Sequence, residues 1–243
     1  LLKTYETREY GLKLIRILCK KQPKIESYII DYLPSVLELA SDKKSNDIKI
    51  QANITGRDIV SIVSIYATTK VNSYLFEGIA STNWQTKLLA LELLGLFSDK
   101  SVMPFSKTLY NVMPVVSNAM WDTKREIKEA ARETTLKAMN TCNNKDIKDL
   151  IPTVIDTIEN PENVAETLHK ISSTVFVQSV DNATLSIIVP ILLRGCQEKK
   201  VESKRRVCVI ADNMCKLIDY PQEAATFLPE LKPLITRLSE ELS

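Results

Sequence analysis

Apolar residues recur at three- and four-residue spacings along nearly the whole chain, the signature of amphipathic helices. The pattern predicts a leading helix over about residues 3–20 and then helix pairs at 24–40 with 47–68, 71–81 with 84–98, 104–120 with 124–142, 146–159 with 163–178, and 182–198 with 202–219. A last helix is expected over 222–241. Two-residue alternation occurs only at Thr174-Val175-Phe176-Val177, which is too short for a strand, so its Val and Phe are read as the end of a buried helix. The most polar stretch, residues 41–47, reads as a long turn between paired helices, with Asp47 as the expected N-cap.

The helical segments repeat. Pro114, Pro152 and Pro190 stand 38 residues apart, Pro229 follows 39 later, and Pro34 precedes Pro114 by 80, which is two periods. Each of the first four lies within an apolar helical pattern, where proline removes a hydrogen bond and kinks the helix. A second marker is independent of the first: Trp84-Gln85-Thr86-Lys87 returns as Trp121-Asp122-Thr123-Lys124, a shift of 37. Two markers with matching periods imply duplication of a two-helix unit. The unit resembles the HEAT repeat, in which a proline-kinked first helix is followed eight residues later by an acidic residue and then by a hydrophobic–basic pair. Pro114, Asp122 and Ile127-Lys128 fit these positions. Asp42 follows Pro34 and Glu198 follows Pro190 at the same distance, while Asn160 after Pro152 is a weaker match. The basic pair after Pro190 is displaced to Arg206-Val207, and the unit around Ser73-Tyr74-Leu75-Phe76 has no proline. The resemblance implies an all-α HEAT-repeat solenoid, a superhelix of antiparallel helix pairs. It would form a single array over 1–243 of about five to six pairs, with no nucleotide-binding module.

Composition narrows the chemistry. Only five of 243 residues are glycine, which leaves little capacity for phosphate-cradling loops or dinucleotide folds. None of the glycines is followed by Lys-Ser or Lys-Thr, so the nucleotide-hydrolysis loop is missing. His169 is the one histidine, so no catalytic triad built on a histidine finds support elsewhere, and it reads as a partly exposed structural residue. The cysteines are Cys19, Cys142, Cys196, Cys208 and Cys215, an odd number without a CxxC pair or metal-ligand spacing. They read as small buried hydrophobes in a reducing, cytoplasmic setting. These features argue against catalysis, and no catalytic, cofactor-binding or metal site is expected in this chain. No apolar run reaches the ~20 residues of a membrane helix, so no membrane partner is expected. The chain opens on Leu1 rather than Met, which suggests a fragment.

Net charge is only +2, so a basic surface can exist only locally. Candidates cluster where second helices open: Lys87 in one repeat, Lys124, Arg125, Lys128 and Arg132 in the next, and Lys199, Lys200, Lys204, Arg205 and Arg206 further on. Lys124, Lys128 and Arg132 follow each other at four-residue spacing and share a helix face. Glu126, Glu129 and Glu133 are interleaved with them, as on an ordinary solvated face. The alternative is a periodic ridge of cations that contacts phosphates. Trp84 and Trp121 precede these clusters and are expected to pack between repeats, the alternative being stacking on a base or a partner residue.

These same stretches carry a closer resemblance. Asn83-Trp84-Gln85-Thr86-Lys87, residues 119–128, Asn144-Lys145-Asp146-Ile147, residues 183–190 and residues 211–217 resemble the N-terminal HEAT region of the translation elongation factor 3 family, over about residues 28–229. The resemblance implies a parent ABC-type ATPase whose ATP- and magnesium-binding modules are absent from this chain. It also implies ribosome binding through small-subunit rRNA and ribosomal proteins, in support of ATP-dependent release of deacylated tRNA from the exit site. Contact with an aminoacyl-tRNA delivery factor would run through other domains. The alternative is a HEAT-repeat protein–protein scaffold, such as the elongation-factor-3-like region of a translational-control kinase activator.

Overall fold

The computed structural model describes residues 5–242, all of them helix, turn or loop, with no strand among the described residues. The helices are α1 (Tyr5–Lys21), α2 (Glu26–Ile29), α3 (Leu33–Leu39), α4 (Asn46–Ile62), α5 (Thr68–Ile79), α6 (Trp84–Lys100), α7 (Val102–Ser106), α8 (Leu109–Ala119) and α9 (Arg125–Asn140). They continue as α10 (Lys145–Lys148), α11 (Ile151–Glu159), α12 (Val164–Ser173), α13 (Asn182–Gly195), α14 (Val201–Lys216), α15 (Gln222–Ala225) and α16 (Leu228–Leu242). The expected start of the first helix at residue 3 lies outside the described residues. The chain forms two compact units, one of residues 1–105 with 114–137 and the other of 106–113 with 138–243.

In the first unit α1 packs on α4, α3 on α4 and α5, α5 on α6, and α4 on α6. Ile59, Val60, Leu75, Leu89, Leu93 and Phe97 fill the space between these helices and are almost completely buried. Phe105 meets Phe97 edge to face, with ring centroids 6.0 Å apart. In the second unit α12 packs on α13 and α14, α11 on α12 and α13, and α16 on α13 and α14. Ile187, Ile188, Ile191 and Val207 form its buried centre, and Tyr110 meets Phe227 edge to face at 5.3 Å.

The periodic prolines act in two ways. Pro114 and Pro190 lie inside α8 and α13, as their apolar surroundings predict. Pro34 and Pro152 instead stand in the first turn of α3 and α11: the helix expected over 24–40 tightens to a 3-10 turn at Ile30–Tyr32 ahead of Pro34, and the one expected over 146–159 breaks at Asp149-Leu150. In a first turn the missing N–H has no partner to lose and the fixed φ is already helical. A break there therefore costs less than an interior kink.

Two local expectations are corrected. Ser45, not Asp47, caps α4: its hydroxyl accepts from Ile48 N at 3.4 Å, and Asp47 lies exposed in the first turn. The helix expected to run to residue 178 stops at Ser173, and Val175 and Val177 are 80% and 74% exposed rather than buried. The Asp146 carboxylate accepts from Val177 N and Gln178 N at 2.8 and 2.9 Å, and Val180 N donates to Leu217 O at 2.8 Å. These bonds satisfy the amides of a β-branched segment that pays a χ1 restriction in a helix.

Gly78 shows how closely the paired helices approach. A Cβ placed there would stand 2.8 Å from Ala90 Cβ and 2.9 Å from Leu37 Cδ1. The methyl of Ala90 cannot rotate away, so Gly78→Ala forces α5 off α6. Overpacking of this kind costs ~1–3 kcal/mol, against a helix-propensity gain of at most about 1 kcal/mol. The variant is expected to melt at lower temperature, and a higher midpoint in a thermal melt would show that the two helices have room to separate.

Candidate nucleic-acid interface

The turns between paired helices are held by carboxylates at the positions eight residues after Pro34 and Pro114. Asp42 Oδ1 accepts from Lys44 N and Ser45 N at 2.8 and 3.1 Å, and its Oδ2 from Arg8 Nη1 at 2.7 Å. Asp122 repeats the arrangement: Oδ1 accepts from Lys124 N at 3.0 Å and Oδ2 from Lys87 Nζ at 2.6 Å. Both carboxyls are held below the usual carboxylate range. Burial pushes Asp42 up, but the two amides and Arg8 outweigh it. For Asp122 the Lys124 amide acts most strongly, followed by the Lys87 ammonium. Asn160, at the weaker matching position, instead donates to Asp156 Oδ1 at 3.0 Å and holds no cation among the described residues.

The candidate cations fall into two groups. Lys87, Arg125, Lys204 and Arg206 are engaged by carboxylates. Lys87 is half-buried on Asp122; Arg125 Nε lies 2.6 Å from Glu129; Lys204 Nζ lies 2.6 Å from Glu241 of α16; and Arg206 Nη2 lies 3.3 Å from Glu202. Lys128, Lys199, Lys200 and Arg205 are exposed, with no carboxylate partner among the described residues. Lys124 is exposed and points its ammonium at an indole instead, with Nζ 5.1 Å from the centroid of Trp84. Arg132 is exposed on the same helix. The cross-repeat pairs had a signal in the sequence that residue counting missed. Lys87 and Asp122 are 35 positions apart and Lys204 and Glu241 are 37 apart, close to the repeat period itself.

The interleaving of charges on α9 is sorted by the helix. Glu126, Glu129 and Glu133 line a groove between α6 and α9 with Arg57, Glu92 and Lys137. Lys124 and Lys128 stand on another stripe, beside the buried Ile127, Ala131 and Thr135 edge rather than in that groove. The tryptophans, expected to pack between repeats, are only partly covered, and Trp84 meets Lys124 of the following repeat. Trp84, the first residue of α6, is 36% exposed and Trp121, in the turn before α9, is 54% exposed. Trp121 sits in the turn that Asp122 fixes, which leaves its indole outside the core.

Other candidate chemistry is quiet. Cys19, Cys142 and Cys196 are buried, Cys208 is half-buried, and Cys215 is exposed rather than part of the core. Burial raises the Cys19 thiol to about 11 and shifts Cys142, Cys196 and Cys208 upward, so these four are thiols at neutral pH. His169 is exposed on α12. No cluster of three metal-ligating side chains and no helix long and apolar enough to cross a membrane occurs among the described residues.

Stacked helix hairpins, turn carboxylates and cations paired one repeat away define an all-α protein of the HEAT-repeat class. The chain belongs to the EF3 N-terminal HEAT repeat family, whose pattern matches residues 2–135. The Elongation factor 3/GNC1 HEAT repeat family matches residues 162–243. Elongation factor 3 of Pneumocystis carinii is 37% identical over 237 residues, covering 97% of this chain and 23% of that protein. Elongation factor 3B of Saccharomyces cerevisiae is 40% identical over 212 residues (87% and 20%), and elongation factor 3 of Phytophthora infestans 36% over 225 (92% and 22%). The chain thus spans less than a quarter of the length of these relatives.

Two tests follow from this geometry. Because the folded Asp122 carboxyl titrates below its unfolded value of about 3.9, its stabilisation is complete above that pH and is lost as pH falls through the folded value. Asp122→Asn is therefore expected to lower the melting temperature at pH 7 and to flatten the acid side of the stability profile. An unchanged profile would remove Asp122 from the turn's support. Separately, Lys204→Gln should cost up to about 1 kcal/mol by leaving Glu241 only its Arg237 partner within α16, whereas Arg205→Gln should leave the melt unchanged. Equal melts for the two variants would show that the Lys204–Glu241 bridge does not hold α16.

Proposed function

We propose that this chain is the ribosome-docking HEAT module of an elongation-factor-3-type protein. It contacts small-subunit rRNA and ribosomal proteins and supports ATP-dependent release of deacylated tRNA from the exit site. In this reading the chain is a binding module without a catalytic group of its own, acting in the cytoplasm. ATP and magnesium belong to ABC modules of the parent protein, and contacts to an aminoacyl-tRNA delivery factor belong to other domains.

The observation that carries the reading is the placement of cations on α9. Lys124 and Lys128 flank the N-terminal turn, where the helix dipole disfavours positive charge, and neither has a carboxylate partner among the described residues. Lys199, Lys200 and Arg205 stand likewise around the start of α14, with Lys200 at the N-cap position and no side-chain cap. Positive charge at such positions weakens the helix, as expected where a surface is kept for a polyanion. The groove between α6 and α9, where Arg57 and Lys137 pair with Glu92 and Glu133, is the feature that a pure protein scaffold would use.

Co-sedimentation with ribosomes tests the reading. Lys124→Glu with Lys128→Glu should weaken binding and reduce the log–log salt slope by about two, roughly one per lost phosphate contact. Lys20→Glu with Lys24→Glu, at exposed positions at and beyond the end of α1, is the control for net charge. Equal weakening by both pairs would mean that the surface responds to net charge alone, and the α9 assignment would fall.

A further inference from the structure

We propose that the edge formed by Trp121, Lys124, Lys128 and Trp84 grips an unpaired stretch of RNA, with the Trp121 indole stacked on a base and the two lysines on its flanking phosphates. The proposal rests on the docking reading of this same surface and names what the surface takes.

Four observations support it. Trp121 keeps 54% of its surface in solvent although it lies between two residues of a fixed turn, a costly position for the largest apolar side chain. The turn does not move freely: Asp122 ties it to Lys87 at 2.6 Å and to Lys124 N at 3.0 Å, so the indole is presented from a rigid base. Lys124 Nζ sits 5.1 Å from the Trp84 centroid, which orders the ammonium without neutralising it. Lys128 N bonds to Lys124 O at 3.1 Å, so the two lysines are one helical turn apart, about 6 Å along the axis and near the spacing of neighbouring phosphates.

The combination of side chains selects the partner. Tryptophan anchors both protein and nucleic-acid contacts, but lysine is depleted at protein–protein interfaces. Bare ammonium groups beside an exposed indole match a charged backbone with accessible bases. Duplex RNA offers phosphates but keeps its bases stacked on each other, so an indole gains nothing from it. The glutamates of α9 line the groove with α6, and the one carboxylate within this edge, Asp122, is already held by Lys87 and the Lys124 amide.

The two tryptophans of the 243-residue chain are both on this edge, so tryptophan fluorescence, excited selectively over the eight tyrosines, reads the site. The probe is a 12-nucleotide single-stranded RNA of mixed sequence, compared with the same sequence as a duplex, while ribosome co-sedimentation is run in parallel. Saturable quenching by the single strand, weakened by salt and much smaller with the duplex, is expected. Trp121→Ala should weaken single-strand binding roughly 5- to 160-fold, the range of one lost base stack, and Trp121→Phe should restore most of it. Because Trp121 is exposed, both variants should melt like the parent, which separates lost stacking from lost folding. Ribosome binding without RNA quenching, or unaffected by Trp121→Ala, would overturn the stacking proposal and leave the docking reading standing. Quenching by a basic ribosomal protein but not by RNA would assign the edge to a protein partner and overturn the proposal. Loss of both ribosome binding and RNA quenching in the parent chain would overturn both readings.

Discussion

A turn between antiparallel helices exposes backbone amides that the next helix has not yet begun to use. In this protein a single carboxylate meets that need and does a second task with its other oxygen. Asp42 and Asp122 each take amides of their own turn and a cation from an earlier helix, Arg8 in one case and Lys87 in the other. The bond within the turn sets its shape, and the bond outside it sets its place against the preceding repeat. Trp121 directly precedes Asp122 and Lys124 follows two residues later with its amide bonded to that carboxylate, so the exposed indole and ammonium hang on a well-anchored residue. A half-buried, charge-assisted pair of this kind is worth more than a surface ion pair because both partners are already ordered and shielded from solvent.

Helix α9 shows how one element serves three surroundings. Ile127, Ala131, Thr135 and Ala138 are buried. Glu126, Glu129 and Glu133 turn to the groove shared with α6. Lys124 and Lys128 take the remaining stripe at the end of the helix where positive charge is least welcome. A short sequence that looks like a mixture of charges is therefore divided between a groove of largely paired charges and a separate lysine stripe. The second unit divides its cations differently. Lys204 and Arg206 are held by Glu241 and Glu202, and Lys204 thereby ties α14 to α16, while Lys199, Lys200 and Arg205 keep no such partner among the described residues. The densest run of basic residues in the chain is thus partly structural.

The packing constraint between paired helices works in the same direction. Gly78 allows α5 to approach α6 until Ala90 stands where a larger residue would clash, and Gly195 stands in a similar position against Leu168 and Val207. With Gly56, Gly78, Gly95 and Gly195 all in such helix contacts, the backbone has few places that could cradle a phosphate, and polar recognition falls to side chains at the turns.

The sequence by itself determined the all-α class, the two-helix repeat, the acidic turn positions at 42 and 122, and the family resemblance that the comparisons bear out. These were legible because helical periodicity and turn chemistry are local, and duplication copies them at a constant spacing. Tertiary structure decided what local pattern cannot carry. Whether Lys87 or Lys204 is available to a partner depends on a carboxylate 35 or 37 residues away, and whether Trp84 and Trp121 are buried depends on how the turns are fixed against a neighbouring hairpin. The end of α12 at Ser173 and the exposure of Val175 and Val177 depend on Asp146 and Leu217, which lie in other helices or their ends. The physical reason is the same in each case. A side chain's charge and apolarity are properties of the residue, but its partner, and so its freedom to bind anything else, is set by elements that only folding brings beside it.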